Sequence, residues 1–324
     1  MKTFPLPRWF TVLALALAPI AALGQAPYPT KPVRILVGYA PGGPLDSVAR
    51  AIAPKLSDEL KQPVVVENRP GASGVIATEA VARAAPDGYT LILNGITHAI
   101  LPGLNAQLPF DTLKDFTAVS IVGYGPLVLV VNPAVPATSL EQLLALARAQ
   151  PGKLAYASAG NGTSLHIAME MLKRTAKVNL THIPYKGSAP AIADVIAGHV
   201  PVMIDVMPSA LPHLKSGRLR ALAVTGQKRL PDLPDVPTIT EAGYSEADLA
   251  TWWGIFGPAR MPKPVVDRLS MALQRVLLEP DVRERFGTLG AEPVWTTPEQ
   301  FDQILRTDVA RFVTVIKEAG IRAD

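Results

Sequence analysis

The 324-residue chain contains no cysteine. This absence excludes disulfide bonds, thiolate zinc sites, iron–sulfur clusters and a cysteine nucleophile. Charged residues are also scarce, at 18%, whereas hydrophobic residues make up 48%. A chain of this length and apolar content can bury the core of two ordinary domains or of one large domain. The composition therefore predicts a soluble globular protein.

Several motifs that carry chemistry are missing as well. The sequence has no phosphate-binding P-loop, no G-x-G-x-x-G after a strand and no H-E-x-x-H. The spacing of its histidines does not match metal ligands: His98, His166, His182, His199 and His213. The formal net charge is only +4, and no run of five or six like charges occurs. We expect no catalytic residue, metal or cofactor, no nucleic-acid partner, and a monomer.

The first 26 residues have the pattern of a secretory signal peptide. Lys2 and Arg8 precede an apolar run over residues 9–22, and small residues follow at positions 24 and 26. The alternative is a membrane anchor, but about 14 apolar residues fall short of the roughly 20 that span a bilayer. Pro19 also interrupts the run. We therefore predict cleavage after the leader and export to the periplasm.

Strand and helix patterns alternate along the rest of the chain. Strands over 33–37, 64–68 and 89–94 are separated by helical patterns over 47–60 and 75–84, which predicts a parallel sheet covered by helices. A second set of strands and helices follows between residues 126 and 225. The fold class is therefore predicted to be α/β with two halves.

The C-terminal region predicts how the halves are connected. Two long amphipathic helices, 264–279 and 298–319, are predicted to have no strands of their own and should return to the first half. This interpretation gives a first domain of residues 27–126 plus 251–324 and a second domain of residues 127–250. Two chain crossings would then form a hinge beside an interdomain cleft.

The first candidate loop, residues 39–46, lies between a strand and a helix. Ligands of open α/β sheets bind at the carboxyl ends of strands, and glycines let the backbone approach them closely. The following helix start offers free N–H groups and a positive dipole end. Asp46 is open to two interpretations, a plain N-cap or an acceptor for a ligand or loop amide. The candidate residues are Tyr39, Pro41, Gly42, Gly43 and Asp46.

The second candidate loop, residues 158–166, has the same order of strand, glycine-rich turn and helix start. Thr163 and Ser164 can donate hydrogen bonds to a carboxylate, although ordinary helix capping by Ser164 is an alternative. Catalysis by Ser164 with His166 is disfavoured, because side chains two helical residues apart diverge by about 200°. The G-x-S-x-G elbow of hydrolases is also missing. The candidates here are Ser158, Thr163, Ser164 and His166.

The third and fourth candidate loops are less informative. The third, residues 94–98, offers the neutral donors Asn94 and Thr97, whereas His98 is more typical of a structural histidine. The fourth, residues 185–188, contains Tyr185 and a lysine that is typical of a solvated surface. Asp205 follows an apolar run, where a carboxylate needs hydrogen bonds. It could hold a cleft loop or accept a ligand amine.

The sequence resembles the periplasmic receptors of tripartite tricarboxylate transporters, the Bug or TctC-type solute-binding proteins. Six segments that span nearly the whole mature chain carry the resemblance: 32–46, 64–91, 156–166, 182–200, 209–225 and 262–269. The resemblance implies two domains of the type II periplasmic-binding-protein kind that close on a small organic carboxylate and deliver it to a membrane permease. It places the first-loop candidates on one cleft wall and those of the second and fourth loops, with Asp205, on or behind the other.

Three positions depart from the family pattern. Pro44-Leu45 stands where a small or polar pair usually precedes the aspartate, Leu165 replaces a common serine, and Ile204 replaces a common aromatic residue. Leu45 would favour a ligand with an apolar or aromatic body. A sensor receptor with a signalling partner and a hydrolase that uses the same cleft are the two other functions considered.

Overall fold

The computed structural model describes residues 28–39, 41–185, 187–226, 228–249 and 251–321, so the predicted signal peptide lies outside the described residues. The strands are β1 Val33–Val37, β2 Val64–Asn68, β3 Thr90–Gly95, β4 Phe116–Gly125, β5 Leu127–Val131, β6 Ala155–Ser158, β7 Thr181–Pro184, β8 Val202–Val206, β9 Arg220–Val224, β10 Thr251–Pro258 and β11 Glu292–Pro293. The helices are α1 Pro44–Leu60, α2 Val75–Ala82, α3 Thr97–Leu104, α4 Leu140–Ala149, α5 Ser164–Ala176, α6 Ser188–Ala197, α7 Met207–Lys215, α8 Lys263–Val276, α9 Pro280–Thr288 and α10 Pro298–Ala319. Within these ranges, no helix combines the length and the apolar content needed to cross a bilayer.

The strands form two separate sheets, which confirms the predicted α/β fold with two halves. The first sheet has the order β11-β4-β10-β3-β1-β2, and the second has the order β7-β6-β8-β5-β9. Strands β1, β2 and β3 are parallel, and β10 runs antiparallel to both β3 and β4. In the second sheet, β6 is parallel to β7 and β8, while β5 is antiparallel to β8 and β9.

The strand register determines which sheet edges the chain crossings join. Gly125 at the end of β4 pairs with Thr251 at the start of β10, so the chain leaves and re-enters the first sheet at one edge. Leu127 at the start of β5 pairs with Val206 at the end of β8. The crossings therefore join the edge where β1, β3 and β4 end to the edge where β6 and β8 end. Both sets of carboxyl strand ends lie beside the hinge.

The two central strands β4 and β10 are absent from the sequence prediction. Both are almost entirely buried, contain glycines and lack the polar–apolar alternation of a half-exposed strand. The statement that the final helices have no strand of their own is therefore wrong, since β10 directly precedes α8. The helices do return to the first sheet, because α8 packs on α1 and α10 packs on α3 and β4.

Helix ends differ from the predictions where proline or a cap decides them. Ser139 caps α4 by accepting the Gln142 N–H (3.2 Å), as expected of a serine that precedes an apolar helical pattern. The predicted helix 264–279 ends at Val276, and a separate helix, α9, begins at Pro280. Proline has no N–H to continue a preceding helix, but its fixed φ suits the first turn of a new one.

Candidate functional site

The first loop is held by a side chain inside the following helix. Gly43 is the N-cap residue of α1, and no side-chain bond caps that helix. Asp46, only 3% exposed, accepts the Gly42 N–H at Oδ2 (2.9 Å). The plain N-cap interpretation of Asp46 is therefore wrong. The carboxylate lies in the first turn of α1 and fixes the turn that precedes it.

Two further side chains hold the Asp46 carboxylate. Arg50 donates from Nε to both oxygens (3.0 Å each), and Asn68 donates from Nδ2 to Oδ1 (2.9 Å). Burial acts to raise the pKa of Asp46. The hydrogen bonds from Arg50, Gly42 and Asn68 outweigh it and hold the pKa below its ordinary value. The Asp46 carboxylate is therefore ionised, and the Arg50 guanidinium balances its charge. The roles of Arg50 and Asn68 were not predicted from the sequence.

The second loop is held in the same way. Thr163 caps α5 by accepting the His166 N–H (3.4 Å), so the alternative of ordinary capping by Ser164 is wrong. Gly162 donates its N–H to His166 Nδ1 (3.0 Å). Because Nδ1 accepts this bond, it carries no proton in this arrangement. Ser164, at the first position of the helix, is partly exposed.

The two turns are equivalent residue by residue. Gly42 and Gly162 have φ of +84° and +70°, values that favour glycine, and each donates its N–H to the side chain four residues later. The shared spacing is G-x-x-L-D in one turn and G-x-x-L-H in the other. The order of strand, glycine-rich turn and helix start in both loops was evident from the sequence. The equivalent positions of Asp46 and His166 were not predicted.

His166 lies in an aromatic and polar cluster behind the second loop. Its ring stacks on His182 (3.9 Å between centroids), which in turn stacks on Tyr156 (4.8 Å). Glu170 accepts from the Tyr156 hydroxyl (2.6 Å) and lies 4.0 Å from His166 Nε2. His166 therefore supports the loop from inside the fold.

Ser158 also belongs to this interior layer. It is fully buried, and its Oγ lies 2.7 Å from His182 Nε2 and 3.1 Å from the Gly160 backbone nitrogen. A serine and a histidine this close could resemble a catalytic pair. Because Ser158 has no exposed surface, a substrate cannot reach its hydroxyl in this structure.

The third loop lies against the first. The Tyr39 hydroxyl lies near Thr97 and donates to the Ser73 carbonyl (3.1 Å). Burial raises the pKa of Tyr39. Asn94 is buried and donates to the Thr78 hydroxyl (3.1 Å). Thr97 therefore stands at the loop surface, whereas Asn94 fixes the loop from behind.

His98 is enclosed by aromatic side chains. Its ring lies 4.8 Å from the Phe116 ring and 4.7 Å from the Phe256 ring. Burial lowers the pKa of His98 to about 3, so the imidazole is neutral at neutral pH. This environment fits the predicted structural histidine.

Two side chains of the fourth loop, Tyr185 and Ser188, donate hydrogen bonds to different carboxylates. Tyr185 donates its hydroxyl to Asp194 Oδ2 (2.6 Å) and its N–H to the Ser158 carbonyl (3.0 Å). Asp205 is fully buried, and its Oδ1 accepts from the Ser188 hydroxyl (2.7 Å) and the Val206 N–H (2.8 Å). Its Oδ2 has no partner among the described residues. Burial raises the pKa of Asp205 to about 7. The lysine of this loop, Lys186, lies outside the described residues.

Apolar side chains lie close to the second and third loops. A Cβ at Gly162 would lie 2.4 Å from Leu104 Cδ1, so the end of α3 touches the second loop. A Cβ at Gly95 would lie 3.5 Å from Trp253 Cδ1 and 4.0 Å from Leu45 Cδ1. Apolar side chains therefore line the approach to the loops. Among the described residues, no group of three or more His, Asp or Glu side chains could hold a metal ion.

Two α/β halves with separate sheets, together with structural neighbours that are periplasmic binding proteins, define a protein of the periplasmic-binding-protein class. The profile of the tripartite tricarboxylate transporter family receptor, TctC, matches residues 48–321. The chain belongs to this family. Its family and structural relatives are solute-binding receptors.

Individual relatives share most of their length with this chain. The protein BugT of Bordetella pertussis is 39% identical over 311 residues, which is 95% of each chain. The structure of an R. palustris protein with adipate is 34% identical, with a TM-score of 0.83, and covers 91% of this chain and 100% of its own. MatC from Rhodopseudomonas palustris with bound malate is 33% identical, with a TM-score of 0.79, and covers 89% and 100%.

Proposed function

We propose that this protein is a periplasmic receptor that captures a small organic carboxylate between the first and second loops. The supporting observation is the pair of equivalent glycine turns, each braced by the side chain four residues later and each opening onto the first turn of a helix. First-turn amides lack intrahelical acceptors and carry the positive end of the helix dipole. Two such starts at facing sheet edges suit an anionic guest.

The two helix starts offer different donors. In α5, Ser164 and Leu165 have first-turn amides, and Ser164 adds a hydroxyl. In α1, Pro44 has no N–H, so one donor is lost. We assign the main carboxylate contacts to the second loop, with Thr97 and the first loop on the opposite wall.

Leu45 supports a ligand with an apolar body. It is partly exposed at the start of α1, next to Gly95 and near Trp253. A small, strongly polar dicarboxylate gains nothing from this surface, whereas a methylene chain does. One relative was solved with adipate, which has a methylene chain, and another with malate, which is a small polar dicarboxylate, so the two relatives represent both kinds of ligand.

The finer assignments are part of the same proposal. The strand membership supports domain limits of residues 27–126 with 251–324 and residues 127–250. The leader would direct the protein to the periplasm, and the closed form would dock on a tripartite tricarboxylate-type permease as a monomer. We infer that the protein is not an enzyme, because its serine and histidine side chains serve the loops from within the fold.

Titration calorimetry with adipate, malate and dimethyl adipate tests the proposal. The diacids should bind and be recovered unchanged, and the uncharged diester should bind at least 100-fold more weakly than adipate. Ser164→Ala should weaken diacid binding severalfold. Thr175→Ala, a hydroxyl change at the far end of α5, is the matched control. Equal binding of acid and ester, or turnover of the ester that Ser164→Ala abolishes, would refute the receptor function.

A further inference from the structure

The first loop carries the negative charge of Asp46 close to the place where the proposed function puts a carboxylate ligand. The inference here rests on that function, which brings an organic carboxylate to the start of α1. The Asp46 carboxylate lies in the same first turn and is held ionised by its hydrogen bonds. Two like charges at close range repel, and the repulsion grows where water is excluded. The loop therefore needs a device that neutralises Asp46 and directs its oxygen atoms away from the cleft.

Arg50 supplies the compensating charge. It stands one helical turn after Asp46 on α1, and its Nε donates to both carboxylate oxygens at 3.0 Å. Its Nη2 donates to Asn68 Oδ1 (3.0 Å). The neighbouring charges on the β2 side are engaged elsewhere, because Glu67 and Arg69 pair with each other (2.6 Å). Arg50 therefore faces Asp46 without a competing acid from β2.

Asn68 connects this ion pair to the loop backbone. Its Nδ2 donates to Asp46 Oδ1 (2.9 Å) and to the Tyr39 carbonyl (3.1 Å), while its Oδ1 accepts from Arg50. The amide thus holds the start of the loop at Tyr39, and the carboxylate holds its middle at Gly42 (2.9 Å). Asn68 comes from the end of β2, next to β1, and is fixed by the parallel register that pairs it with Val37.

We propose that Arg50 and Asn68 are positioning residues for anion capture, which neutralise Asp46 and fix the first loop through it. Neither side chain needs to touch the ligand. The second loop needs no such pair, because its brace at Gly162 is the neutral Nδ1 of His166. The charge-compensating network is therefore specific to the first wall of the cleft.

Adipate binding to Arg50→Met, measured by calorimetry at pH 7, tests the charge role. The affinity of the variant should be at least fivefold lower than that of wild type, because the Asp46 charge is left uncompensated. The double variant Arg50→Met/Asp46→Asn should recover to within about twofold of wild type, because the amide keeps an acceptor for Gly42 and removes the charge. Arg306→Met, which breaks an exposed i,i+4 pair with Asp302, is the matched control. Unchanged affinity in Arg50→Met, or no recovery in the double variant, would overturn the charge role.

Hydrogen exchange of the Gly42 amide in the ligand-free protein tests the positioning role independently. Arg50→Met and Asn68→Ala should each exchange this amide severalfold faster than wild type, whereas Gly162 exchange should stay unchanged. Equal Gly42 exchange in all proteins would overturn the positioning role. Failure of wild type to bind any carboxylate would instead refute the proposed function, and the exchange result would still decide whether the network holds the loop.

Discussion

The first and second loops use the same turn, held by a charged side chain in one and by a neutral side chain in the other. In the first loop, the Gly42 amide is fixed by a carboxylate that Arg50 compensates. In the second, the Gly162 amide is fixed by the unprotonated nitrogen of His166. The backbone geometry requires only an acceptor four residues after the glycine. The difference shows that this type of glycine turn can use a charged brace when a cation neutralises it nearby.

The two buried carboxylates extend this comparison. Asp46 has partners on both oxygens and a pKa below its ordinary value, whereas Asp205 has one oxygen without a described partner and a pKa raised to about 7. Burial acts in the same direction on both. The donors, and above all the guanidinium of Arg50, decide the opposite outcomes.

The largest predicted effect is on the pH dependence of stability through Asp205. Its pKa is raised in the folded protein, so its stabilising contribution is complete below the unfolded pKa of roughly 4 and is lost as pH rises through about 7. The free energy of unfolding should therefore fall by up to about 1.4 kcal/mol per pH unit in this window. Denaturant titrations from pH 4 to pH 8 measure it.

Asp205→Asn should flatten this dependence, because the amide cannot ionise. The exposed Asp302→Asn is the control and should leave the slope as in wild type. A wild-type slope that persists unchanged in Asp205→Asn would show that other groups cause it.

The next largest effect is expected for Asp46→Ala. Loss of the brace at Gly42 should weaken adipate binding tenfold or more and lower the free energy of unfolding by about 1–3 kcal/mol at pH 7. Because the folded pKa of Asp46 is lowered, the stability difference should be full above about pH 4 and vanish as pH falls further. Calorimetry and denaturant titration check both parts. Unchanged affinity with only a stability loss would limit Asp46 to a structural role.

A smaller effect is predicted for the second brace. His166→Leu removes the acceptor of the Gly162 N–H, and a net hydrogen bond is worth about 1 kcal/mol, so binding should weaken three- to tenfold. His166→Gln, which offers an amide oxygen, should lose less. Amide exchange at Gly162 should rise in the leucine variant while Gly42 stays protected. Simultaneous loss of protection at both glycines would show that the two braces are not independent.

The smallest effect concerns ligand selectivity at Leu45. Leu45→Ala removes partly exposed apolar surface, so we expect the adipate-to-malate affinity ratio to fall two- to fivefold. Competition titrations measure this ratio, and Leu278→Ala, an exposed leucine after α8, is the control. An unchanged ratio would place the ligand body away from Leu45.

The sequence was sufficient for features that local pattern determines. The strands β1, β2 and β6, the cap at Ser139 and the glycine turns before α1 and α5 follow from alternation, capping residues and glycine position. The carboxyl ends of parallel strands then indicate where a site belongs. The family resemblance adds the two-domain architecture, which the comparisons confirm.

Hydrogen-bonding and stacking partners that are distant in sequence were not predicted. Asn68 reaches Asp46 only because β2 pairs with β1, and His182 stacks on His166 only because β7 pairs with β6. The sequence left two roles open for Asp46 and Ser164, since local propensity does not fix where a helix begins, and neither residue is the helix cap. The loop-amide acceptor proposed for Asp46 is confirmed. Strand β10 was missed because a fully buried strand shows no alternation.

A crystal structure of the protein with a carboxylate, chosen by thermal-shift screening, tests the central claim most directly. The account predicts a carboxylate group within hydrogen-bond distance of the first-turn amides of α5 and the Ser164 hydroxyl, opposite the first loop and Thr97. Gly42 and Gly162 should keep their bonds to Asp46 and His166. A bound, unchanged ligand lodged elsewhere, or these two loops far apart around it, would contradict the account.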